Sequence, residues 1–212
     1  MKNIALLYFT TLLLLISSLS NAQDKIEHLT KNNAGWFSLG ARSTLSLFDH
    51  DGAGLGSGGQ FRIQLSNRVN TDWFADYISI NVDDKVRSDY YHIGWSVLFY
   101  PLQNQHNKTI QPYIVAGHCF DYNKKTSIQT PAITFDRWGS AVQAGLGTHI
   151  NLTDRFDISL TSQYMIHLTK ELEVETDEAG DIHIHEHKEA SLEGHLLTTV
   201  SLNYKIFKLW KK

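Results

Sequence analysis

Two rows of side chains able to take up a proton or a metal ion flank one glycine-containing turn. Upstream, "KELEVET" sets Glu171, Glu173 and Glu175 at every second position; downstream, "DIHIHEH" sets His183, His185 and His187 at every second position. A period of two belongs to a strand, whose successive side chains face opposite ways. Between the rows, "DEAGD" suits a three-residue hairpin loop, Glu178-Ala179-Gly180, with Gly180 left-handed. Asp177 then opposes Asp181. Stepping outward pairs Glu175 with His183, Glu173 with His185 and Glu171 with His187, while Val174 opposes Ile184 on the other face. Opposed residues hold their Cβ atoms about 5 Å apart, within reach of one another. Three chemistries follow. The rows can be cross-strand charge pairs that keep a projecting ribbon in register. They can form a surface site for zinc, copper or nickel, with His183, His185 and His187 as imidazole ligands and Glu173 as the carboxylate. They can also respond to pH, since imidazole changes charge near pH 6.5.

The ribbon has to be carried by something. Residues 1–22 read as a secretory signal: Lys2, an apolar run from Ile4 to Ile16, then Ser20-Asn21-Ala22. The run is shorter than the roughly 20 residues a spanning helix needs. Residues 23–34 are expected as a short N-terminal segment, 35–207 as one domain and 208–212 as a short basic tail. The net charge of -3 and the lack of a basic stripe argue against nucleic acid as a partner. The single cysteine, Cys119, excludes an intrachain disulfide, so an exported chain needs another source of stability. A sheet closed on itself is one.

Period two runs through the rest of the chain. Phe37, Leu39, Ala41, Leu45 and Leu47 alternate with Ser38, Gly40, Arg42, Thr44 and Ser46. Phe61, Ile63 and Leu65 alternate with Gln60, Arg62 and Gln64, and Tyr91, Ile93, Trp95, Val97 and Phe99 with Tyr90, His92, Gly94 and Ser96. Val142, Leu146, Ile158, Leu160, Tyr164, Val200 and Leu202 continue the apolar set; Gln143, His149, Asp157, Gln163, His167, Ser201 and Asn203 continue the polar one. "DWFADYISINV" changes phase near Tyr77, as at a bulge, and "QPYIVAGHCFDY" is apolar on both faces. Eight strands joined in sequence make an all-β, closed, antiparallel up-and-down barrel.

The apolar face lies inside a soluble barrel and outside a membrane barrel. The aromatics favour the membrane type. Trp36, Phe37, Trp73, Phe74, Phe99, Tyr100, Tyr113, Phe156, Tyr204, Phe207 and Trp210 gather at one rim, and Phe48, Tyr90, Tyr91, Phe120, Tyr122, Phe135 and Trp138 at the other. Two such girdles match the two interfaces of a bilayer. Shorter turns are expected at the rim of the termini and longer loops at the other. Inside, Arg42 and Arg62 facing Glu193 or Asp157 would form ion pairs, and His92, His149, His167 and His195 would be hydrogen-bonded core groups. The ribbon register, carried along the strands, pairs Ile166 with Leu192 and Ile158 with Val200, which makes the ribbon a direct extension of the wall.

"TVSLNYKIF", alternating and ending on Phe207, resembles the C-terminal assembly signal of small eight-stranded outer-membrane barrels of Gram-negative bacteria, the OmpX/OmpW-like group, and "PYIVAGHCFDY" resembles a strand seen in many of them. The chain departs by continuing "KLWKK" past Phe207. The resemblance implies an outer-membrane location, contact with membrane lipid and with the barrel-assembly machinery through the last strand, and a structural, adhesion or interaction role. That group also contains lipid enzymes, but the His-x-Ser-Asn stretch of the lipid A deacylase is absent at "THINL" and at "IHLTK". No catalytic set stands out, and an enzyme is not expected. An outer-membrane lipid enzyme and a secreted lipocalin-like barrel are the rival readings. Cys119 reads as a small buried residue. "DHDGAG" at Asp49 lacks the third acidic ligand and distal Glu of a calcium loop and reads as a glycine turn.

Overall fold

The computed structural model describes residues 34–48, 52–82, 85–102, 109–131, 133–168, 172–176, 182–186 and 194–210. Eight strands close one barrel: β1 (Trp36–Phe48), β2 (Gly52–Gln64), β3 (Val69–Val82), β4 (Val86–Phe99), β5 (Ile110–Ser127), β6 (Thr134–Asn151), β7 (Phe156–His167) and β10 (Gly194–Lys208). Their order around the wall is β1-β10-β7-β6-β5-β4-β3-β2, so every sequence neighbour is also a spatial neighbour. Two short strands, β8 (Leu172–Thr176) and β9 (Ile182–Glu186), form a separate hairpin sheet between β7 and β10. Trp36 pairs with Lys208, and the Leu209 amide donates to the Gly35 carbonyl, which fixes both ends of the barrel at one rim. We call this the near rim and the opposite one the far rim.

The barrel is apolar outside and polar inside. Ile93, Trp95, Leu146, Leu160 and Val200 all point outward, with Leu146 65% exposed. Arg42, Gln60, Arg62, Gln64, Gln143, Gln163, Ser201 and Asn203 are buried in the lumen. Alternation alone accounts for this: every strand has to choose one face for the narrow interior, and a slip of one residue would exchange the two sets.

Aromatic side chains run in ladders across the outer wall. Near the near rim Phe207, Phe37, Phe61, Trp73 and Trp95 follow one another across five strands, with ring centroids 5.2, 5.8, 5.9 and 6.4 Å apart. Towards the far rim Tyr77, Tyr91, Tyr122 and Trp138 do the same at 5.0, 5.8 and 5.1 Å. Four residues expected in the girdles belong elsewhere. Phe74, Tyr90, Tyr100 and Tyr113 are buried in the lumen: three sit at inward positions of their strands, and Tyr100 keeps the inward parity one residue past the end of β4.

Three further expectations are corrected. β3 has no bulge at Tyr77: its register runs unbroken against β2 and β4. The apparent change of phase is real chemistry, since Phe74, Ile78 and Ile80 turn inward and form an apolar cluster with Tyr90, Cys119, Met165 and Leu197. Among the described strands, the pairing is irregular in β1, between Phe37 and Ser38. "DHDGAG" is a turn only in part, because β2 begins at Gly52. The far connections at 49–51, 83–85 and 128–133 are therefore short, while the near connection at 100–109 is long. Only the segment after β7 is a long far connection.

A charged group on the outer wall should be far more damaging than a comparable change in the lumen. Val200 lies mid-wall opposite Leu160, and Ser201 beside it faces inward. Val200→Arg should lose about 2–4 kcal/mol if the wall faces lipid, and Ser201→Ala only about 1 kcal/mol for its hydrogen bonds. Heat-modifiable gel migration after refolding into lipid reads both, and equal yields would reject the assignment of faces.

Candidate functional site

Among the described residues, polar chemistry is concentrated in the lumen, which is built in three tiers. In the near tier Arg62 Nε bonds Asp72 Oδ1 at 2.7 Å, its Nη1 reaches Asp157 Oδ1 at 3.2 Å and its Nη2 donates to Ser159 Oγ at 3.1 Å. Asn203 Nδ2 donates to Asp157 at 2.9 Å, and Asn203 Oδ1 accepts from Gln60 at 2.6 Å. His149 bridges Ser159 Oγ at 2.6 Å and Tyr100 Oη at 2.7 Å. Tyr113 completes the tier with a 2.6 Å bond to Thr161. A Cβ on Gly147 would strike the Tyr113 ring, so glycine there makes room for it.

The middle tier centres on Arg42. Its Nε lies 3.0 Å from Asp76 Oδ1, its Nη2 bonds Thr199 at 3.3 Å and its guanidinium sits 4.4 Å over the Phe74 ring. The Arg42–Asp76 contact is an ion pair without hydrogen-bond alignment, since neither of those two atoms has a hydrogen-bond partner among the described residues. A Cβ on Gly58 would collide with Asp76 Oδ1, so the bare stretch of β2 is what admits this carboxylate. A cavity of about 20 Å³ lined by Arg42, Gln60, Gln163 and Ser201 lies at this level. It holds about one water and nothing larger.

The far tier is different. Asp121 Oδ2 meets His167 Nδ1 at 3.1 Å, and His167 Nε2 meets His195 Nδ1 at 3.1 Å. His92, 1% exposed, stacks on His195 with ring centroids 6.1 Å apart, and neither of its ring nitrogens has a hydrogen-bond partner among the described residues. Cys119 Sγ lies 3.9 Å from Met165 Sδ in the apolar cluster beside it.

Sequence reasoning had placed Arg62 with Asp157 and all four inward histidines in the lumen, and the structure does the same. It missed Asp72 and Asp76. Both sit at even, inward positions of β3, and the apparent shift of phase there concealed them. Arg42 pairs with Asp76; Glu193, the other partner considered, lies outside the described residues. On the ribbon, Glu173 is the Cα partner of His185, Glu175 of His183 and Val174 of Ile184, as the hairpin loop requires. Glu171 and His187 lie outside the described residues, as do the side chains of β8 and β9. Among the described residues no group of three or more His, Cys, Asp or Glu is arranged to hold a metal ion. The ribbon does not continue the barrel register. Ile166 pairs with Gly194, Ile158 with Leu202 and Leu160 with Val200, two residues away from a straight extension of the hairpin.

No family model matches the chain, and no curated protein matches it. Solved structures do. Neisserial surface protein A is 11% identical over 83% of this chain and 99% of its own, with a TM-score of 0.54. A major outer membrane protein from Thermus thermophilus is 9% identical over 80% of this chain and 99% of its own, with a TM-score of 0.55. What they share with this chain is the fold, a closed antiparallel barrel of eight strands.

The near tier should behave as one charged unit. Arg62→Gln leaves two carboxylates, Asp72 and Asp157, facing each other in a dry interior, which should cost about 3–5 kcal/mol. Adding Asp157→Asn should restore part of that stability, because it removes one of the stranded charges. Urea unfolding in lipid vesicles compares the two, and a double variant less stable than the single one would contradict the pairing.

Proposed function

We propose that the protein is an integral outer-membrane barrel with a filled lumen, whose far rim faces outward and carries a structural, adhesion or interaction role. One observation carries this reading: the wall is apolar and bracketed by aromatic ladders, while the inside is packed with its own paired polar groups. An eight-stranded barrel is just wide enough for its own side chains or for one small ligand. Arg42, Arg62 and their aspartates occupy it, which argues against a wide pore. The lipocalin-like alternative requires the opposite facing of Leu146, Leu160 and Val200, and those residues point outward. Outer-membrane lipid covers the wall in this reading, and the last strand, with Phe207 exposed on the wall and stacked 5.2 Å from Phe37, is what the assembly machinery would engage.

A lipid enzyme is the weaker reading. Ser159 and His149 make a 2.6 Å contact with Asp157 nearby, the right residue types for nucleophile, base and acid. But Ser159 Oγ already receives hydrogen bonds from Arg62 and Asn203, and all three residues are at most 3% exposed. A lipid carbonyl has no route to them.

The ribbon register favours charge pairing of Glu173 with His185 and Glu175 with His183. A zinc, copper or nickel site at His183, His185 and His187 with Glu173 is the competing reading of the same row. Titrating tag-free protein with zinc at pH 7.4 separates them. Pairing predicts no heat of binding. A one-site isotherm that is lost on changing the three histidines to Gln, and weakened at pH 5.5 where imidazole holds a proton, would establish the metal instead.

The location and the closed lumen are tested together. The protein should fractionate with outer membranes, an epitope inserted after Ala179 should be accessible on intact cells, and planar bilayers at pH 7.4 should show no steady conductance. A soluble native protein, or an open channel at neutral pH, would overturn the proposal.

A further inference from the structure

The far tier contains an arrangement whose integrity depends on how many protons it holds. We propose that Asp121, His167 and His195, with His92 stacked beside them, form a proton-operated latch that keeps the far mouth closed at neutral pH and releases it in mild acid. This rests on the closed-lumen reading given above.

Proton counting carries the argument. The His167 Nε2 to His195 Nδ1 contact, 3.1 Å long, needs one N–H and one lone pair. When both rings are neutral, His167 can donate from Nδ1 to Asp121 and accept at Nε2 from His195. One added proton is accommodated. His167 then donates from both nitrogens, its charge lies against the Asp121 carboxylate, and His195 accepts at Nδ1 as the tautomer with its hydrogen on Nε2. A second proton, on His195, is not. Both facing nitrogens then carry hydrogen, and the bond becomes an N–H to N–H repulsion between two cations. His92 adds to it, since its ring stacks on His195 and any charge it gains is a like charge at close range.

Among the described residues the surrounding charges give little relief. Among the described residues Asp121 is the one carboxylate bonded to this chain. Asp76, the next inward carboxylate, on β3, is committed to Arg42 from β1. Arg137 from β6 acts on Asp121 as a second cation. Tyr90 from β4 and Cys119 from β5 are neutral in mild acid, and β2 presents Gly54, Gly56 and Gly58 inward, with no charge at all. Among the described residues the first imidazole proton is balanced by Asp121, and each later one adds unbalanced positive charge to a buried site. An imidazole that meets water takes up its proton near pH 6.5, so below that pH proton uptake favours the open state, in which the rings are hydrated.

The chain carries its own reporter. Cys119 is the only cysteine, is 0% exposed and touches Met165, whose Cα partner on β10 is His195. Opening of the far mouth admits water and reagent to its thiol. The experiment labels full-length protein in lipid nanodiscs with dithiodipyridine, which reacts with thiols in acid, and divides each rate by that of free cysteine at the same pH. Wild type should be almost unreactive at pH 7.5 and gain about tenfold or more at pH 5.0, as linkage of opening to proton uptake over that interval requires. His195→Gln and His167→Gln each remove one member of the facing pair, so each should abolish the gain while keeping heat-modifiable migration. Cys119 that is equally slow at both pH values overturns the latch, and so does an acid gain that survives in either folded variant. Cys119 that reacts freely at pH 7.5 has a different meaning: the closed-lumen reading fails, and the latch with it.

Discussion

The width of an eight-stranded barrel governs everything inside it. The ring leaves room for side chains but not for a column of water, so each inward polar group must find its partner on another strand. That condition explains why Arg62 is met by Asp72 from β3 and Asp157 from β7, and why Arg42 is met by Asp76. It explains the bare stretch of β2 as well: Gly58 leaves the volume that the Asp76 carboxylate occupies. Removing one member of such a set strands its partner, while the set as a whole adds little net stability. The lumen therefore specifies which strands sit opposite each other more than it holds them together.

Along its length the interior divides its labour. The near half is a hydrogen-bonded mesh in which Gln60, Asn203, Ser159 and His149 connect the two arginine sites to Tyr100. The far half is sealed by an apolar cluster around Ile78, Met165 and Leu197, with the histidines beside it. Arginine remains charged over the whole accessible pH range, and imidazole does not. The near mesh holds one imidazole, His149, among its arginines, whereas the far half gathers three, His92, His167 and His195.

The fold was largely legible in the sequence because alternation is a direct print of which face is crowded. Ile93, Trp95, Leu160 and Val200 could be placed on the wall, and Arg62, Gln143 and Asn203 in the lumen, from parity alone. The failures share one cause. Phe74, Tyr90, Tyr100 and Tyr113 were assigned to the girdles for their chemistry, although their parity put them inside. In β3 the inward Phe74, Ile78 and Ile80 looked like a slip of register, which hid Asp72 and Asp76 and kept Asp76 from being considered as a partner of Arg42. Local composition cannot distinguish a bulge from an apolar plug; the unbroken ladders against β2 and β4 can. The chain from Asp121 to His195 joins three strands far apart in sequence and leaves no mark in any short stretch.

The two-residue step between barrel and ribbon has a consequence for how such a protein can change over generations. From the pair Ile166 and Gly194 to the pair Leu172 and Glu186, one arm has six steps and the other eight. In an extended strand an even step leaves a side chain on its face and an odd step reverses it. Insertions and deletions in the arms are then sorted by parity. Pairs of residues would raise, lower or tilt the hairpin while preserving its chemistry, and a single residue would turn the charged rows to the opposite side. Length changes in even increments are then the ones that leave the chemistry of the rows where it was, while the wall they spring from stays fixed.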